Sequence, residues 1–447
     1  MRAIIIGAGK IGYHVAHVLA REDHDVILIE SNEERVHALE DTLDIQVMVG
    51  SGTSYQVLEQ AGIKEADLLV AVTEIDEVNM ISCMLAKQYG VEKTVARVRN
   101  PEYVVEGERK SGAFADIDLV INPEMVTAKE IAKLIEVPEA LDVVYYANGK
   151  VQLLELEITK DAPIVGVKLQ DMKMNFSFLI VAILRNGKML IPRGSDQILA
   201  NDIIFVLAKT KEMVKVERLL GTERLKAERV MVLGADLTGL NLAKMLEEQK
   251  VNVKIIEKQH KRCVEVAQQL QNTIVLHGDG TDMDLLKSEG AAETDVFVCL
   301  TDDDKLNLLV GLLAKHLGAK RAIAQVRRSD YIDLMENVGI DAGISPRLLT
   351  ANAILRFIKR GRGVLSITLL CEEKAEMLEV VLSEDSKVVN QKIREINFPG
   401  GAIIGSICRK NNVTIATGND CLKAGDMITV FALPHALRKV EQYLNIN

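Results

Sequence analysis

Short runs of consecutive apolar residues, rich in Val and Ile, recur along this chain with amphipathic stretches between them. In the first third they fall at 3–6, 26–29, 45–49, 68–72, 94–98 and 118–121, which predicts six strands joined by helices. These runs lack alternation with polar residues. Strands buried on both faces beneath crossover helices lose that alternation, so the pattern predicts a doubly wound parallel sheet. Further on, "LLELEI" at 153–158 does alternate. With the glycine turns and short helical stretches around it, it predicts a small α+β lobe. The longest apolar run, "FLIVAIL" at 178–184, is far shorter than the roughly 20 residues of a membrane span. The chain begins directly on a core strand, so no signal peptide is expected. The expected location is the cytoplasm, with any membrane attachment made through a partner.

The pattern then repeats. "VILIESNEERV" at 26–36 answers "VKIIEKQHKRC" at 253–263, and "VMVGSGTSYQVLEQAG" at 47–62 answers the stretch that ends at Gly290. Thr73 and Asn79 correspond to Thr301 and Asn307, and "VARVRNPEY" at 95–103 corresponds to "IAQVRRSDY" at 323–331. Between 184–208 and 408–432 the match keeps a constant offset, pairing Arg185, Gly194 and Asp202 with Arg409, Gly418 and Asp426. The expected fold is α/β, a tandem duplication of a Rossmann-like doubly wound lobe followed by a small α+β lobe. The expected domains are 1–138, 139–221, 227–360 and 361–447.

Composition narrows the function. A net charge of −10, with acids and bases mixed along the length, excludes a general nucleic-acid binder. The densest basic segment, "RFIKRGRG" at 356–363, reads as a solvated linker. Six scattered cysteines without a C-x-x-C pair read as reduced thiols, and no metal site is expected. His14 and His17 share a helix face without a carboxylate or cysteine beside them.

The chemistry lies in "IIIGAGKIG" at 4–12. The loop follows a strand, opens a helix and is followed by Glu30, 18 residues beyond Gly12, at the end of the second strand. That context is the dinucleotide fingerprint. Gly7 allows the tight turn, Gly9 lets a pyrophosphate approach the backbone, and Gly12 brings helix and strand together. Ala8, Lys10 and Ile11 complete the loop and present the helix amino terminus to an anion. Glu30 is placed to accept from ribose hydroxyls and to repel a 2′-phosphate. Ligands of open α/β sheets collect at the carboxyl ends of the strands. Ser51, Thr53, Thr73, Glu74, Arg97 and Arg99 are therefore further contact candidates. Arg97 stands out, since an arginine on a buried strand needs an anionic partner, either a phosphate or an acidic side chain.

The second copy, "MVLGADLTG" at 231–239, carries Asp236 in place of the middle glycine, and Gln325 in place of Arg97. Two like charges about 4 Å apart cost on the order of 4 kcal/mol at an effective dielectric of about 20. Both changes act against an anion, so the second site is expected to have lost or altered its ligand. Glu257, Thr281 and Thr301 remain as candidates there, and Arg327 and Arg328 leave some positive charge.

Taken together, "GAGKIG", "VGSGTS", "AVTEIDEVNM", "ARVRNPEY", "GDGTDMDLL" and "LTDDDKLNLLV" resemble the TrkA family. Its members are cytosolic regulatory subunits of Trk-type bacterial potassium uptake systems, built from paired RCK (regulator of potassium conductance) lobes. The resemblance covers essentially the whole chain. It implies a homodimeric or homotetrameric ring docked beneath an integral-membrane potassium translocator of the TrkH/TrkG kind. The larger lobes would bind NAD(H), ATP or ADP as a regulatory ligand and not as a redox substrate. Carried over by position, the nucleotide contacts are Gly7 to Ile11, Glu30, Thr73, Glu74 and Arg97. No catalytic residue is expected. Two alternatives remain: an NAD-dependent oxidoreductase, for which the repeat leaves no substrate domain, and an RCK-type regulator of a different ion transporter.

Overall fold

A computed structural model describes the chain except at residues 22, 41–44, 104–115, 137–141, 173–175, 222–226, 359–363, 371–373, 411 and 447. Cys371 and most of the basic segment at 356–363 lie outside the described residues. The chain folds as two compact units. One joins Met1–Ala132 to Ala227–Ile358, the other Lys133–Lys226 to Lys359–Asn447. The two large lobes thus share one unit and the two small lobes the other.

In the first large lobe the strands are β1 (Arg2–Ile6), β2 (Asp25–Glu30), β3 (Gln46–Val49), β4 (Leu68–Ala71), β5 (Lys93–Arg97) and β6 (Leu119–Ile121). They pair in parallel in the order β3-β2-β1-β4-β5-β6, the doubly wound arrangement that the apolar runs predict. The helices are α1 (Lys10–Arg21), α2 (Glu33–Glu40), α3 (Tyr55–Gln60), α4 (Asp76–Gln88) and α5 (Pro123–Glu136). The second large lobe repeats the sheet order, with Arg229–Leu233 as its first strand, helix Leu237–Glu248 after it and helix Pro346–Ile358 at its end.

Ile4, Ile6, Leu69 and Ala71 pack one sheet face of the first lobe against Met80, Cys83 and Ala86 of α4. On the opposite face Ile5, Leu28 and Val70 meet Val15, Ala16 and Leu19 of α1. That layer is completed from outside the lobe, because Ile354, Leu355 and Ile358 of helix Pro346–Ile358 belong to the same cluster. Each fully buried side chain of this kind is worth roughly 1.5–3 kcal/mol. The two large lobes therefore share a core.

In the second unit each small lobe is a five-stranded sheet, and all its strand pairs are antiparallel. Arg185 forks onto buried Asp202 at 2.7 and 2.8 Å, and Arg409 repeats the pair on Asp426. Phe205 and Phe431, one from each lobe, stand 6.4 Å apart in a common apolar cluster. Among the described residues no helix is long and apolar enough to cross a membrane.

Candidate functional site

At the carboxyl edge of the first sheet the three loop glycines meet different constraints. Gly7 has φ +99°, and a Cβ there would sit 3.0 Å from the Thr73 nitrogen. A Cβ on Gly12 would lie 1.9 Å from the Gly7 carbonyl oxygen. Both glycines are required by the protein's own backbone. Gly9 is not, since a Cβ there would meet nothing within 4 Å. The loop keeps a bare backbone at the amino end of α1, where unpaired N–H groups favour an anion. Ile11 points its side chain into the core, so only its backbone faces the loop. Lys10 is exposed.

Glu30 holds this loop in shape. One carboxylate oxygen accepts from the Ala8 N–H at 2.9 Å, and the other from the Asn32 N–H at 3.0 Å and the Ser31 hydroxyl at 3.2 Å. Burial raises its pKa, but these donors outweigh it and hold the carboxyl below its ordinary value. A ribose hydroxyl would share an acceptor already used by the loop. Ser51 and Thr53 bond each other at 2.8 Å near the surface.

Asn79 and Asn307 align in the repeat, but the sequence alone gives neither a role. Buried Asn79 accepts from the Thr73 N–H and hydroxyl at 2.8 and 2.7 Å, and donates to the carbonyls of Thr73 and Arg97. It clasps the ends of β4 and β5 together. Asn307 repeats every one of these bonds on Thr301 and Gln325. A polar residue at the same place on two otherwise apolar helix faces was the available signal.

Arg97 donates to the Thr73 carbonyl at 3.1 Å, while its buried Nε has no partner. Burial, then neighbouring Arg99, pushes its guanidinium pKa down, opposed by Glu124, Glu74 and Asp76. Among the described residues no carboxylate pairs with it, so its electrostatic demand is unmet in the way an anionic ligand would satisfy. Arg99 differs. Its Nε pairs with Glu124 at 2.7 Å, and with exposed Glu74 it lines a cavity beside Leu237 of the second loop.

The second loop has its own internal anion. Asp236 caps helix Leu237–Glu248, its Oδ1 accepting from the Gly239 N–H at 2.9 Å. Withdrawal from water pushes the Asp236 carboxyl up to about 6, with Glu124 and Asp302 adding to the effect against the Gly239 bond. Around it the corner is closed by internal pairs. Arg262 donates to the Ala235 carbonyl at 2.7 Å, and Lys258 pairs with Asp279 at 2.9 Å. Asp279 in turn accepts from the Thr281 hydroxyl at 2.8 Å. Glu257 holds the loop through the Ala235 N–H at 3.0 Å, as Glu30 does in the first copy. Arg328 is paired with Asp330 at 3.0 Å. Arg327 pairs with Asp302 and lines a cavity with Ala8 and Lys10, so part of the charge assigned to the second site faces the first loop.

The first loop fits a nucleotide phosphate: bare backbone at Gly9, the amino end of α1, and the incompletely partnered Arg97. Sheet order, duplicated glycine loops and paired small lobes define a tandem duplication of a Rossmann-like glycine-loop lobe and a small antiparallel-sheet lobe. The TrkA-N domain family matches residues 3–123 and again 230–346, and the TrkA-C domain family matches 153–221 and 377–445. The chain belongs to the TrkA family. It is 39% identical over 450 residues to Trk system potassium uptake protein TrkA homolog 2 of Methanosarcina mazei, covering 99% of each chain. It is 36% identical to Trk system potassium uptake protein TrkA of Vibrio alginolyticus, over 96% of this chain and 95% of that one. Its fold is similar to the GsuK RCK domain at TM-score 0.63 and 18% identity, covering all of this chain and 95% of that one. The structure of the GsuK channel bound to NAD is similar at TM-score 0.64 and 17% identity, over all of this chain and 79% of that one.

Proposed function

We propose that this chain is the nucleotide-sensing regulatory subunit of a potassium uptake system. A nucleotide, NAD(H), ATP or ADP, binds the first large lobe through Gly7–Gly12 and Arg97. Binding changes the shape of a ring of such lobes, and the ring gates an integral-membrane potassium translocator of the TrkH/TrkG kind. The observation that carries this reading is the contrast between the two loops, one bare at Gly9 and the other filled by its own Asp236 carboxylate. Curated relatives named for potassium uptake across nearly the whole chain support the transport role. Exposed Tyr55 and Ile81, with counterparts Met283 and Leu309, supply apolar surface for self-association. A ligand shifts such an equilibrium only by binding one ring shape better than the other.

The test is potassium uptake by cells that lack this chain, complemented with wild type or with Gly9→Asp. Wild type restores nucleotide-dependent uptake, and the variant, which copies the second loop into the first, gives uptake that no longer responds to nucleotide. Equal nucleotide response from both contradicts the proposal, and sustained NADH turnover with a small substrate would favour the oxidoreductase instead.

A further inference from the structure

Asn79 spends its whole amide on one corner of the first lobe. Its Oδ1 accepts from the Thr73 N–H and hydroxyl at 2.8 and 2.7 Å, and its Nδ2 donates to the carbonyls of Thr73 and Arg97 at 3.0 and 2.8 Å. Two acceptor and two donor positions are filled, the full capacity of a carboxamide. The side chain is fully buried near the start of α4, where any bond left unmade is costly. Only one orientation of the amide satisfies all four partners, so the corner has little freedom to move.

Both residues that Asn79 holds belong to the glycine-loop corner. The Thr73 carbonyl that it fixes is also the acceptor for the Arg97 Nη1 at 3.1 Å. Asn79 therefore grips Arg97 twice, through the arginine's own carbonyl and through the acceptor of its guanidinium. Thr73 also packs on the loop, its nitrogen lying 3.0 Å from where a Cβ on Gly7 would stand. The second lobe builds the same clasp around a different residue. Buried Asn307 makes all four bonds, to Thr301 and Gln325. Gln325, at the end of strand Arg321–Gln325, brings no charge, and its Oε1 has no hydrogen-bond partner. Duplication has left two equal clasps, one with a cation to aim and one without.

We infer that Asn79 is a positioning residue for nucleotide binding. It sets the spacing between the glycine-loop turn and the Arg97 guanidinium, and so decides whether both can hold one nucleotide at once, without touching the ligand itself. The inference rests on the reading of the first loop and Arg97 as a nucleotide site. Without the amide, the ends of β4 and β5 lose their common tie. The guanidinium, whose buried Nε already has no partner, then keeps only the bond to a Thr73 carbonyl that is itself no longer held. A charged donor fixed before the ligand arrives binds more tightly than one that must be ordered on binding.

Calorimetric titration of the full chain with ATP, ADP and NADH tests this, the tightest of the three being carried through the variants. Asn79→Ala and Asn307→Ala each remove the same four bonds, and both are expected to lower the melting temperature measured without nucleotide. Only Asn79→Ala weakens nucleotide binding, by roughly tenfold or more, the range of one charge-assisted hydrogen bond. In an Arg97→Ala background the same substitution causes at most about a twofold further loss, because its effect runs through Arg97. Should Asn79→Ala fail to fold, Asn79→Ser and Asn307→Ser, which leave a hydroxyl in each clasp, carry the comparison. Wild-type affinity in the folded Asn79 variant, an equal loss in the Asn307 variant, or losses that simply add to that of Arg97→Ala overturn the inference and leave the first-loop reading intact. Failure of wild type to bind any of the three nucleotides overturns both.

Discussion

Gly9 and Gly12 sit in the same turn yet answer to different demands, and substitutions separate them. At Gly12 a methyl group has the Gly7 carbonyl oxygen in its way, so backbone must move. Gly12→Ala is expected to destabilise the chain by about 1–3 kcal/mol in urea unfolding, the scale of overpacking. Gly9→Asp meets open space and gains the cap that Asp236 makes on its own helix. It is expected to hold or raise stability, by up to about 1 kcal/mol, while abolishing nucleotide binding. Asp236 carries a pH dependence of unusual sign for a carboxylate. With its pKa raised to about 6, the native state keeps a proton that the unfolded state releases near pH 4. Stability therefore falls as pH rises from about 4 to about 6. Asp236→Asn is expected to flatten that slope in urea midpoints measured across the window. The residue's solvent-exposed side screens the effect, so the slope is shallow.

At the level of elements, helix Pro346–Ile358 is where the repeat becomes a single body. Ile354 sits with Ile5, Val15 and Leu19 in the first lobe's core although it lies in the second copy. Ile354→Ala is expected to cost about 2–5 kcal/mol. Hydrogen-exchange protection should fall at β1 and α1 as well as within the mutated helix. Protection lost only in the second lobe would mean that the contact carries little energy. This element also marks how far the sequence could be read. The six apolar runs located the parallel strands to within two residues, because strands buried on both faces leave unbroken Val/Ile stretches. The glycine spacing located the loop, because Gly7 is dictated by its positive φ and Gly12 by the carbonyl oxygen of Gly7 in the same turn. Which lobe covers which helix left no such trace. An amphipathic stripe records that a face is buried, but it does not record the partner. For the same reason the sequence places Arg99 and Arg327 at their own lobes' sites, whereas each lines a cavity against the other lobe's loop. The sequence reads Asp236 only as opposed to an external anion; its role as a helix cap depends on φ −66° and ψ −173°, which composition does not encode.

Across the molecule, duplication followed by divergence leaves two large lobes in one unit with unlike loops. One presents bare backbone and the amino end of a helix. The other satisfies that helix with its own carboxylate, and closes the neighbouring corner with the Lys258–Asp279 and Arg262–Ala235 bonds. On the proposed function, a ring of such chains would respond to nucleotide at alternate lobes, with the self-capped lobes staying silent. Direct measurement of nucleotide stoichiometry tests this central asymmetry. In calorimetric titration of the purified chain with ATP, ADP and NADH, wild type is expected to bind about one nucleotide per chain and Gly9→Asp none. Two nucleotides per wild-type chain, or undiminished binding by the Gly9→Asp variant, would contradict the account and return the anion to Arg97 and its neighbours.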